Sequence, residues 1–292
     1  MIKNIFINPI ESRLRAGWRI LLFIIIMVGI ARLLGFAVNN LFGGMPEDKT
    51  LKFFFIILIA AISGTTGVII ARRYIDKKTM LSFGLKLDGL AIKDWLIGFL
   101  LSLLMVGLVF LLLLLFGLLE FESVNPEILT LKFFQDFILM FVALVILTAW
   151  WEELVFRGYL LQNMISGMGK TWAVIISCIL YGAVHASHPN AGILSSSIIV
   201  LFGFMRLYGY LRTSQLWLSM GMHAGWNFFQ GPVFGFAASG YETESVLIHK
   251  LNGSDWLTGG QFGPEGSVFT ILIVLLAILS MYWWTRDREV VK

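Results

Sequence analysis

Apolar residues in this chain come in long unbroken runs, not in the short alternations or single-faced stripes of a soluble domain. A membrane-crossing helix needs about 20 mostly apolar residues. Eight stretches approach or reach that length, near 18–42, 51–71, 95–119, 133–158, 171–187, 192–211, 214–230 and 267–284, with the fifth and seventh short. The pattern predicts an all-α fold, a polytopic membrane helical bundle of about eight transmembrane helices, each satisfying its own backbone hydrogen bonds. The first run reads as a span and not as a cleavable signal. Arg13, Arg15 and Arg19 precede it, but no small-residue cleavage site follows and it continues through Arg32 to Phe42.

The polar breaks carry an orientation signal. Basic residues concentrate before the first run (Lys3, Arg13, Arg15, Arg19) and between the second and third (Arg72, Arg73, Lys77, Lys78, Lys86, Lys93). They recur as Arg157 and Lys170, as Arg206 and Arg212, and as Arg286, Arg288 and Lys292 in the tail. The intervening connections hold only Lys49, Lys52, Lys132 and Lys250. The positive-inside rule then puts both termini in the cytoplasm of a multi-pass protein of the cell membrane. Residues 72–94 read as a topology anchor beside anionic headgroups. The chain reads as one integral membrane domain, 1–292, in which 231–266 forms a long non-cytoplasmic loop. A glycine-rich, acidic loop of that length is either disordered or folded over a site.

Composition agrees and excludes much else. The chain is 58% hydrophobic and 14% charged, against about a quarter charged for a soluble domain. The lone cysteine, Cys178, rules out an intrachain disulfide and any cysteine-cluster metal site. It lies in an apolar run with no electropositive neighbour, which suits packing better than nucleophilic chemistry. No Walker loop, nucleotide fingerprint or internal repeat is present, so the lipid bilayer is an expected partner and nucleotides and nucleic acids are not.

Chemistry enters at the end of the run FFQDFILMFVALVILTAWWEELVFRGYLL, where Glu152 and Glu153 sit side by side. Carboxylates continuous with membrane-thickness apolar sequence are costly to bury and mark functional sites. Glu153 and Arg157 are four apart, on one helix face, and can neutralise each other. Glu152, about 100° around the helix, is then free to face a cavity. Tyr181 and His185 form a second such pair, His223 and Asn227 a third. The sequence SGMGK at 166–170 reads as a helix–helix turn. Glu152 and His185 each lie ~22–24 Å from it along their helices, which brings carboxylate and imidazole to one level. Such a pair can activate water, while a second histidine and an asparagine amide can stabilise an oxyanion. The same residues also read as a zinc site with Glu152, His185 and His223 as ligands and a position open to water, although the HExxH signature is absent. Spacing leaves both readings open.

The three motifs, Glu152-Glu153-Leu-Val-Phe-Arg157, Tyr181-Gly-Ala-Val-His185 and His223-Ala-Gly-Trp-Asn227, resemble those of the CAAX-protease and bacteriocin-processing family (CPBP, or Abi), which includes the type II CAAX prenyl endopeptidases. The similarity runs over a core of about 133–230, and WLTGGQFGPEG at 256–266 resembles bacterial members. Tyr181 stands where that family usually has phenylalanine. The resemblance implies an intramembrane endopeptidase acting on a membrane-associated protein or peptide. It implies that Glu152 and His185 activate water, that His223 and Asn227 stabilise the oxyanion, and that Glu153, Arg157 and Tyr181 support them. It leaves Zn2+ dependence undecided. The rival readings are an ion- or proton-coupled transporter using the same groups as a relay, and a non-proteolytic immunity or scaffold protein of the same fold. Among the remaining polar residues, His188 is expected to be a solvated loop residue and His249 to have no catalytic part.

Overall fold

The computed structural model describes residues 3–9 and 11–288, so Lys292 of the basic tail lies outside the described residues. A short antiparallel hairpin, β1 (Ile7–Asn8) and β2 (Arg13–Leu14), leads into α1 (Ala16–Phe42). There follow α2 (Lys49–Ile75), α3 (Gly89–Leu115), β3 (Leu119–Val124) and α4 (Leu131–Met168). The chain continues as α5 (Lys170–His185), α6 (Ile193–Thr213) and α7 (Trp217–Phe228), the last extended by a π-turn over Phe229–Val233. After β4 (Leu247–Leu251) it ends in α8 (Val268–Thr285). Among the described residues, α1, α2, α3, α4, α6 and α8 are the six helices long and apolar enough to cross a membrane. The protein is thus a multi-pass membrane protein, and the two runs that looked short, α5 and α7, are short.

Local chemistry explains most of the boundaries. Asp48 caps α2 by accepting from the Leu51 N–H at 2.8 Å, and Asp88 caps α3 by accepting from Ala91 at 2.9 Å. Thr130 and Ser267 do the same for α4 and α8. Each satisfies an N–H that the first turn leaves without a partner. The outer faces stay apolar, as with Leu100, Leu104 and Leu111 of α3 and Leu272, Leu275 and Leu279 of α8, all exposed. Such faces suit lipid, not water.

α7 runs through the centre and is buried along nearly its whole length. It crosses α3 at backbone contact. A Cβ on Gly221 would sit 2.0 Å from the Trp95 carbonyl oxygen, and one on Gly225 would sit 2.6 Å from that of Phe99. Ser102 donates to the Met222 carbonyl at 2.8 Å across the same seam. Where both partners would otherwise meet lipid, attraction comes from close packing, and small residues allow it.

The two ends of the bundle differ. At one, Arg72 and Arg19 lie 2.9 and 3.5 Å from Asp76, and Arg19 and Arg13 lie 3.3 and 2.8 Å from Glu11. This network ties α1 to α2, and Arg72 also donates to Gln162 of α4 at 2.7 Å. Arg19 and Arg72 therefore face protein partners rather than headgroups, as do Arg157 and Arg206, both buried inside helices and not in connections. Glu11 lies outside the spans, and the Arg13 hydrogen bond draws its carboxyl down to about 2. At the opposite end, β3 pairs with β4, and the 231–266 segment is folded through a succession of short turns.

The α3–α7 seam makes a direct prediction. Gly221→Ala forces the Trp95 carbonyl away and should cost about 1–3 kcal/mol, read as a lowered thermal midpoint of the detergent-purified protein. An unchanged midpoint would contradict the close crossing.

Candidate active site

α4 is continuous over 38 residues but not uniform. It changes from α to π geometry over Val142–Thr148 and again over Leu154–Leu160, and Glu152 and Glu153 lie in the α-turn between. π-turns inside helices recur at functional sites, because they re-aim the side chains beyond them. α4 ends at Met168, Gly169 takes φ +82° and α5 starts at Lys170, which forms the tight hairpin that SGMGK suggested. Antiparallel packing then brings Tyr181 of α5 against Glu152, with His185 one turn further on lining the same cavity.

The two glutamates occupy different environments. Glu153 has no exposed surface. Its Oε1 lies 3.3 Å from Arg157 Nη1, 3.5 Å from Arg206 Nη1 and 2.9 Å from His223 Nδ1. Its Oε2 accepts from the Ser219 hydroxyl. Glu152 faces a cavity and accepts from the Tyr181 hydroxyl at 3.1 Å, with its Oε2 3.8 Å from His223 Nε2. Both guanidiniums, Arg157 and Arg206, lie over the Tyr181 ring at 4.4 and 4.5 Å.

Hydrogen bonding sets the tautomers. His223 donates its Nδ1–H to the Glu153 carboxylate, and His185 donates its Nδ1–H to the Tyr181 carbonyl at 2.9 Å. In the neutral state each imidazole therefore keeps a lone pair on Nε2. Glu152, Tyr181, His185, His223 and Asn227 all line one cavity, which encloses about 680 Å³ of empty volume including its mouth. Its walls are the apolar Phe53, Ile57, Leu144 and Phe202. Thr148, one turn before Glu152 and 5% exposed, lines it too, and its hydroxyl has no partner among the described residues. The sequence-predicted residues thus converge, apart from Glu153 and Arg157, which lie behind the cavity wall. Glu152, His185 and His223 are donor types that zinc accepts, but their spacing here does not form a metal site. Among the described residues no three His, Cys, Asp or Glu side chains, Glu152, His185 and His223 included, are grouped so as to hold a metal ion.

Several groups at the site carried no legible signal. Arg206 looked like a loop charge but lines the cavity from α6, and His188 lines the cavity mouth with its ring 4.6 Å from that of His185. Glu265 is the largest surprise. This carboxylate is 4% exposed, lines the same cavity and accepts from Trp226 Nε1 at 2.9 Å, from Ser239 N at 2.9 Å and from Ser239 Oγ at 2.6 Å. Burial pushes its pKa up, opposed by the Ser239 and Trp226 hydrogen bonds. Ser239 has φ +48°, a conformation unusual for a residue with a side chain, and Glu265 holds it there. Beside it, Gly240 leaves no room for a Cβ, which would meet the Pro189 carbonyl at 2.0 Å. The 231–266 segment is therefore a cap folded over the cavity, fastened to α7 by Glu265. A carboxylate in a glycine-rich connection gives no sequence hint of such burial.

Residues 134–229 match the family described as type II CAAX prenyl endopeptidase Rce1-like. No curated protein matches the chain. The matched stretch covers α4 to α7 and so spans Glu152 to Asn227, but stops short of the cap. Glu265→Ala should loosen that cap and speed tryptic cleavage after Lys250, with Glu265→Gln intermediate because it keeps one acceptor. Equal cleavage rates in all three proteins would count against the fastening role.

Proposed function

We propose that the chain, whose residues 134–229 match the type II CAAX prenyl endopeptidase Rce1-like family, is an intramembrane endopeptidase of the CAAX-protease and bacteriocin-processing family, hydrolysing a peptide bond in a membrane-associated protein or peptide. One observation carries the reading: Glu152, His185, His223 and Asn227, from three helices, face a single cavity.

In this mechanism Glu152 is the general base. It takes a proton from a water that also donates to His185 Nε2, and the water oxygen bonds to the carbonyl carbon. Negative charge develops on the carbonyl oxygen beside the Asn227 amide and the Arg206 guanidinium, fixed groups that need no reorganisation. His223 has a different part from a simple oxyanion donor, because its one N–H in the neutral state is committed to Glu153. The proton on Glu152 passes to His223 Nε2, 3.8 Å away, and the imidazolium is held between two carboxylates. When the tetrahedral intermediate collapses, the C–N bond breaks and the leaving amine takes that proton. Glu153 and Arg157 act as positioning residues for His223. No step requires a metal.

Glu152→Ala and His185→Ala should each lower peptide cleavage by about 10²–10⁴-fold, and Asn227→Ala by about 10²–10³-fold, with thermal midpoints near wild type. Tyr181→Phe keeps the ring beneath the guanidiniums and the backbone acceptor for His185, and should stay active. Wild-type processing of membrane-associated peptides by both Glu152→Ala and His185→Ala proteins would sink the mechanism. A chelator should leave the rate unchanged, and loss of activity that added Zn2+ restores would replace the glutamate reading with a metal one.

A further inference from the structure

The cavity belongs to one end of the bundle. Among its lining residues Tyr181 is only 2% exposed, whereas Tyr241 of the cap is 41% exposed, and Ser239, Thr243, His188 just beyond α5 and Phe53 near the start of α2 are half-buried beside it. The α4–α5 turn at Gly169 marks the opposite end, and the 16 residues of α5 separate it from His185 by about 24 Å. The cavity is therefore reached from the cap end.

The two ends carry opposite charge. Around the end away from the cap, Arg73, Lys77, Lys78, Lys86, Lys93 and Lys170 are exposed, while Asp76 and Asp94 are buried in ion pairs. At the cap end the exposed groups include Glu47, Asp48, Glu120, Glu122, Glu127 and Glu242. Exposed lysines there are fewer, and Lys132 lies 2.8 Å from both Asp48 and Asp136. The asymmetry survives when only charges that reach the surface are counted, even though the buried Arg19, Arg72, Arg157 and Arg206 then drop out of the basic side. Membrane proteins keep their basic connections in the cytoplasm.

We infer that the catalytic cavity opens on the non-cytoplasmic face, and that its substrate is an exported, membrane-attached polypeptide cut on the non-cytoplasmic flank of its anchor. A peptide bond held at the cytoplasmic surface faces the closed end of α5 and cannot reach Glu152 from there. The substrate half rests on the endopeptidase reading above; the orientation half does not.

Because Cys178 is the sole cysteine, a Cys178→Ser background permits single-cysteine mapping with a membrane-impermeant maleimide. Glu242→Cys on the cap and Tyr241→Cys at the cavity rim should label in intact cells, and Lys86→Cys only after permeabilisation. Labelling of all three in permeabilised cells shows that each protein is made. The reverse pattern overturns the orientation, and labelling at 242 but not at 241 overturns the position of the mouth. Peptide termini lost from membrane fractions of Glu152→Ala cells should map to non-cytoplasmic segments. Termini in cytoplasmic segments, or none, overturn the substrate assignment and leave the labelling result standing.

Discussion

A carboxylate with no exposed surface has to be neutralised where it lies, and Glu153 meets that demand with groups from three helices: Arg157 of α4, Arg206 of α6, and His223 and Ser219 of α7. Ions removed from water lose several kcal/mol each, and only well-directed partners return it. The cluster is compensated only when α4, α6 and α7 meet at one level. That condition fixes how α7 is turned, and so which residues it presents beside Glu152. It also fixes the tautomer of His223. An uncharged replacement would pack without this demand, but it would not dictate the rotation of three helices to the same degree.

Other parts of the molecule depend on weaker, separate devices. The α3–α7 crossing needs only glycines and a serine hydroxyl, because close backbone contact supplies the attraction. The Arg72–Asp76–Arg19–Glu11 network binds α1 and α2 at the far end and touches nothing catalytic. Between these layers, the Tyr181 ring lies against two guanidiniums while its hydroxyl and carbonyl address Glu152 and His185. One residue therefore couples the charged wall to the cavity.

Hydropathy made the helices legible because lipid imposes one rule on every spanning segment. The run near 18–42 became Ala16–Phe42, and the short fifth and seventh runs became α5 and α7. Spacing also made the Glu153–Arg157 pair readable, and with it the approach of the Tyr181–His185 face of α5 to the cavity that Glu152 lines, since both follow from helix and hairpin geometry. Burial of charge was not readable. Arg206, Arg72 and Arg19 look the same in sequence whether they meet headgroups or carboxylates, and only the folded neighbours decide. Glu265 and Ser239 sit among glycines where any conformation is open, so neither the cap nor its fastening had a periodic signature. The β3–β4 pairing was hidden for a similar reason, because its strands lie far apart in sequence.

The unequal lengths of α4 and α5 also shape the surrounding lipid. α4 has 38 residues, about 57 Å of helix, while α5 has 16, about 24 Å, against a hydrocarbon core of about 30 Å. Trp172, Ile179, Leu180 and Val184 of α5 are exposed, so acyl chains contact this short helix directly. Lipid beside a helix shorter than the core accommodates by thinning. Thinning at α5 would draw the hydrated headgroup layer inward at the terminus that carries His185, and a hydrolytic water would then have a shorter path than the bilayer elsewhere imposes.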